Sequence, residues 1–100
     1  MKLLLITAIH EYEKDVKQIL NHSGVKSFSY QEVKGYKNES VGSSENWFGA
    51  SHTEIDSLLF IVFIEAQFVT QIYQKVEQFN AKQDSLSHIH LATLGLERSI

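Results

Sequence analysis

His88 and His90 stand two positions apart. On an extended strand that spacing puts both imidazoles on one face, about 6–7 Å from each other. Such a pair can hold part of a zinc or copper site once a third ligand arrives. His10, His52 or a carboxylate such as Glu32 or Glu97 is available to supply it. Paired histidines of this kind also serve as hydrogen-bonded interface residues, so the spacing admits a divalent metal without requiring one. A second group with chemical potential is Asn46-Trp47-Phe48, which carries the single tryptophan of the chain in an otherwise polar stretch. Large aromatics there act either as an anchor for a partner, since Trp is enriched at binding hot spots, or as a plug into the protein's own surface.

Catalysis finds no comparable foothold. The chain has no cysteine, no Gly-x-Ser-x-Gly elbow, no phosphate-binding P-loop and no His-Glu-x-x-His pair. Its one arginine, Arg98, lies near the C-terminus rather than in a loop that cradles an anion. The residues point to a protein that is not an enzyme. A formal charge of −3, with nine Lys and Arg scattered along 100 residues, offers no basic surface for nucleic acid or anionic lipid. The base-stacking platform of RNA-binding modules needs aromatics beside basic residues. Phe60 and Phe63 instead lie in an unbroken apolar run and are expected in a core.

The elements that must position these residues follow from hydrophobic period. Lys2–Ile9 is a short apolar run and is expected to be a buried strand. It is followed at once by His10, Glu11 and Glu13, which does not suit a secretory signal. Glu11 to His22 has helical spacing in Tyr12, Val16, Ile19 and Leu20, with Gly24 placed for a left-handed cap. Lys26 to Tyr36 reads as a second strand, ended by Gly35, and residues 37–53 as a long polar loop. Ile55 to Glu65 reads as a third strand, Ala66 to Asn80 as a second amphipathic helix and His88 to Glu97 as a fourth strand. The order βαββαβ is that of a single α+β ferredoxin-like domain, an antiparallel four-stranded sheet with two helices on one face. The apolar run Leu58–Ile64 is far shorter than the ~20 residues of a membrane helix, so a cytoplasmic protein without a membrane span is expected.

Two of the four strands break the alternation of a half-exposed sheet. Leu3-Leu4-Leu5-Ile6 and Leu58 to Ile64 are apolar on both faces. Two helices cover one face. The other would leave Leu, Ile and Phe in water, at roughly 1.5–3 kcal/mol per side chain, so a further layer is required. Another copy of the chain supplies it most directly, and the long loop folded back is the alternative.

One segment carries a family resemblance. Gly24 to Tyr36 reads Gly-Val-Lys-Ser-Phe-Ser-Tyr-Gln-Glu-Val-Lys-Gly-Tyr. It resembles the second strand of the nitrogen regulatory PII proteins and their PII-like relatives, Gly-Val-Lys-Gly-Met-Thr-Val-Thr-Glu-Val-Lys-Gly-Phe-Gly in typical members. Beyond that segment the likeness is one of element order. The resemblance implies a homotrimeric signalling protein that binds a small effector in clefts between subunits. It further implies that the 37–53 loop, with Asn46, Trp47 and Phe48, signals to a partner such as a membrane transporter or an enzyme. Carried over position by position, it implies that Ser29 lies where a hydroxyl contacts adenine, and that Gly35 and Tyr36 lie at the base of the loop. With Lys34, Lys37 and His88 they form the expected ligand-binding set. The related CutA proteins share the trimeric fold and a link to divalent-cation tolerance, which keeps metal binding by His88 and His90 as the alternative.

The departures from the pattern bear on the ligand. Lys37 replaces a family glycine, and Asn38-Glu39 replaces Arg-Gln. Ala81 to His88, in place of the glycine-rich phosphate loop, contains no glycine at all. A triphosphate would meet only Lys34, Lys37 and Lys82, which argues against ATP binding in the PII manner and leaves the effector's identity open. The segment 37–53 also lacks a tyrosine for uridylylation.

Overall fold

Leu4, Ile6 and Ala8 are buried while Leu3, Leu5 and Ile9 between them are only half-buried. This alternation sets the architecture, seen in a computed structural model that describes residues 1–38, 52–84 and 87–100. The chain runs β1 (Lys2–Ile9), α1 (Glu13–His22), β2 (Ser29–Asn38), β3 (His52–Ile64), α2 (Val69–Lys82) and β4 (His90–Gly95). A short 3₁₀ turn precedes each helix, at His10–Tyr12 and Ala66–Phe68. The strands form one antiparallel sheet in the order β2-β3-β1-β4, the expected α+β ferredoxin-like arrangement.

The helices form because their apolar residues share one stripe. Val16 and Leu20 of α1 and Ile72 and Val76 of α2 are buried against one face of the sheet. There they meet Leu4 and Ile6 of β1 and Leu58, Phe60 and Val62 of β3, all within 1% of full burial. Each such side chain contributes about 1.5–3 kcal/mol on leaving water. α1 ends in a Schellman motif. Gly24 takes φ +84°, its N–H donates to Asn21 O at 3.4 Å, and Val25 N–H donates to Leu20 O at 3.1 Å. The two residues that the motif usually brings together, Val25 and Leu20, are both buried in the core.

Several boundaries differ from the sequence expectation, most consequentially those of β2 and β4. β2 begins at Ser29, not Lys26, because Val25 belongs to the helix cap and the next residues bring the chain to the sheet edge. It also runs through Gly35 to Asn38 rather than ending there. Pairing with β3 is continuous from Ser29↔Ile61 to Asn38↔His52, so Lys37 and Thr53 are strand residues rather than loop. β4 begins at His90, leaving His88 before the strand, and it ends at Gly95. No helix among the described residues is long and apolar enough to cross a membrane.

The face of the sheet away from the helices is bare among the described residues. Register places Leu3 and Leu5 of β1, Leu59, Ile61 and Phe63 of β3, and Leu94 of β4 side by side there. Phe63 is 60% exposed and Leu94 45%. The helices account for the apolar content of one face of β1 and β3, and that of the other face has no cover among the described residues.

Candidate functional site

β1 stops at Ile9, opposite Ser57, but β2 and β3 continue as a two-stranded ribbon to Asn38 and His52. The step between the end of β1 and the ribbon leaves a hollow of about 530 Å³ on the helix-free face. Ile9, Val33 and Ile55 supply apolar wall, and Lys37, His88 and His90 polar groups.

Gly35 shapes the floor. A Cβ there would stand 2.7 Å from Ser57 Oγ and 3.2 Å from Ile55 O, so Ser57 takes the space that a side chain at 35 would need. The Ser57 hydroxyl donates to Ile55 O at 3.1 Å. Sequence spacing offers the strand-ending role for this glycine. Close approach of a neighbouring strand is the reason the structure provides.

His88 is positioned by contacts that the sequence does not advertise. The Asn80 side chain clamps Ile89 at both ends, donating from Nδ2 to Ile89 O at 3.0 Å and accepting from Ile89 N–H at 2.8 Å. Tyr12 Oη donates to Ser87 O at 3.1 Å. Contacts from both helical segments therefore fix the approach to β4, through half-buried Ser87 and buried Ile89, and with it the exposed His88 between them.

Lys34 faces the other way. Its Nζ lies 2.8 Å from Asp56 Oδ1, directly across the ribbon on the helix side. The hydrogen bond from Lys34 holds the Asp56 carboxyl below its usual range, and Asp56 in turn raises the Lys34 ammonium. Beside the pair, His10 Nε2 lies 3.7 Å from Glu32 and 3.8 Å from Glu13. His10, Glu32, Lys34 and Asp56, with Glu11, line a second hollow of about 540 Å³. Further along the same side Lys17 Nζ reaches Glu13 at 2.7 Å and Tyr30 Oη at 2.8 Å. It stands 4.4 Å over the Tyr30 ring, which stacks on buried Phe60.

Of the expected ligand-binding set, Lys34, Gly35, Tyr36, Lys37 and His88 all border the helix-free hollow, together with His90, but Lys34 and Tyr36 leave β2 on its other face. Ser29 is apart from them, at the opposite end of β2 beside Ile61. Asn46, Trp47 and Phe48 lie outside the described residues. His88 and His90 share the hollow, but with His88 before the strand the alternation that would align their imidazoles does not apply. Among the described residues no group of three or more His, Asp or Glu is arranged to hold a metal ion. Lys82 is turned into the groove between the helices, with Asp15 and His22. Ile9, Ile55 and Ser57 join the site without a sequence expectation; their only sequence signal is that they border the strand ends.

This βαββαβ fold is the fold of the PII-like signalling proteins. A nitrogen regulatory PII-like protein, CPII, from Thiomonas intermedia K12, solved bound to ADP, AMP and bicarbonate, superposes with a TM-score of 0.60 at 17% identity over 99% of this chain and 94% of its own. A putative PII-like signalling protein from Thermus thermophilus gives 0.63 at 15% identity, over 93% of this chain and 83% of its own. GlnK from B. subtilis gives 0.67 at 18% identity over the same shares. No family model and no curated protein sequence matches the chain.

Proposed function

We propose that the protein is a PII-like regulatory protein, not an enzyme, that works in the cytoplasm as a homotrimer. Its sheets pack through the helix-free face, and a small effector binds where the hollow meets a neighbouring subunit. The observation that carries this reading is the bare apolar face itself. Leu3, Leu5, Leu59, Ile61, Phe63 and Leu94 gain up to about 1.5–3 kcal/mol each when covered, and heterologous contacts that close a three-membered ring, each sheet packing on its neighbours, cover them together. The fold shared with CPII supports a small-molecule ligand, since that protein was solved with ADP, AMP and bicarbonate.

Effector occupancy would then favour one arrangement of the segment 37–53 through differential affinity, and a transporter or enzyme would sense it through Asn46, Trp47 and Phe48. Sedimentation equilibrium at micromolar concentration tests the assembly. A particle three times the 11.4 kDa chain mass is expected, and a monomer sinks the reading. Replacing residues 39–51 by a short turn is expected to leave the trimer intact and remove partner binding.

A further inference from the structure

Resting on that reading of the hollow, we infer that its ligand is an organic anion with one small acidic group, a carboxylate or a monophosphate, on an apolar body. The site discriminates against polyphosphates, because the cations that would hold a phosphate chain are turned elsewhere.

Three lysines are candidates for such a chain, and two are removed by geometry. Lys34 is bound to Asp56 at 2.8 Å on the helix side of the ribbon. Glu32 and Glu54 also act on its charge, so an extended phosphate reaching it would enter a field of carboxylates. Lys82 faces the groove between α1 and α2, beside Asp15. Lys37 remains at the hollow, with His88 and His90.

Two backbone donors near the hollow are already engaged. A phosphate nest needs successive unpaired N–H groups. On the link from α2 to β4, Gln83 N–H donates to Asn80 O at 3.2 Å and Ile89 N–H to Asn80 Oδ1 at 2.8 Å. The rest of the hollow suits a body rather than a chain of charges. Ile9, Val33 and Ile55 form an apolar wall against which the ligand's body packs. One ammonium and two imidazoles match one small acidic group.

Calorimetric titration of the purified protein with two matched series tests this and separates the two sources of the acid. AMP is compared with adenosine, ADP and ATP, and nicotinate with nicotinamide. In at least one series the acid is expected to bind about tenfold more tightly than its neutral counterpart, with AMP tighter than ATP if the phosphate series binds. Lys37→Gln should abolish the preference for the acid. Asp56→Asn, which frees Lys34, should raise ATP affinity relative to AMP. Equal or tighter binding of ATP by the unaltered protein overturns the inference, as does an acid bound no better than its neutral partner, or no binding in either series. Sedimentation of the same samples distinguishes the two failures. A trimer that prefers ATP leaves the PII-like reading standing, whereas a monomer removes that reading itself.

Discussion

Ser57 Oγ occupies the position that a side chain on Gly35 would fill, 2.7 Å from an ideal Cβ at that residue. Two neighbouring strands are thereby fitted to each other at the floor of the hollow. Gly35→Ala must push the Ser57 hydroxyl out of its bond to Ile55 O, and overpacking of this kind costs about 1–3 kcal/mol. Adding Ser57→Ala removes the clashing oxygen and should recover more than half of the loss. Urea denaturation of the two single variants and the double variant measures it. Additive losses would show that the two positions are not coupled.

The helix-free face yields the prediction with the largest readout. Phe63 is 60% exposed, so Phe63→Glu removes nothing from the core of one chain. Combined with Leu59→Glu it should keep the far-ultraviolet circular dichroism of the folded protein while lowering the mass in light scattering to that of one chain. Unchanged mass would mean that the subunits do not meet through this face.

Asn80 acts at a distance from its own helix. Its amide satisfies both backbone groups of Ile89, so Asn80→Ala leaves a donor and an acceptor without partners beneath the start of β4. A loss of about 1–3 kcal/mol is expected in thermal or urea unfolding. Hydrogen exchange should quicken at residues 87–90 while β1 and β3 stay protected. Uniform loss of protection would instead indicate a global role.

The ion pairs set the direction of the pH response. Lys17 lowers the Glu13 carboxyl, chiefly through their hydrogen bond, and Lys34 does the same for Asp56. A carboxyl whose folded value is depressed contributes stability above its ordinary value, near 4.5 for Glu and 3.8 for Asp, and loses it as pH falls through the folded value. Lys17 and Lys34 are raised, so their contribution is full below about 10.5 and fades as pH rises through the raised value. The melting temperature should therefore hold between these limits and fall at both ends. Glu13→Gln should shallow the acid limb by more than Asp56→Asn, because the Lys34–Asp56 pair is largely solvent-exposed and screened. Melts between pH 3 and 7 at low salt decide this, and equal acid limbs in both variants would contradict it.

Element order is legible without coordinates because each element carries its own period. Alternating burial in β1, the stripe of Val16 and Leu20, and the cap at Gly24 are consequences of neighbours close in the chain. The doubly apolar runs also announce a face that helices could not reach. Contacts between residues far apart in sequence are not legible. Nothing local marks Lys34 as the partner of Asp56, Asn80 as the clamp on Ile89, or Ser57 as the reason for glycine at 35. The extent of β2 escapes the sequence for the same cause, since a strand continues as long as its partner pairs with it, and β3 pairs as far as His52. Composition and period thus determined the layers and the surplus of apolar surface. Register across the sheet, which depends on both strands at once, decided which lysine faces the hollow and which residues surround it.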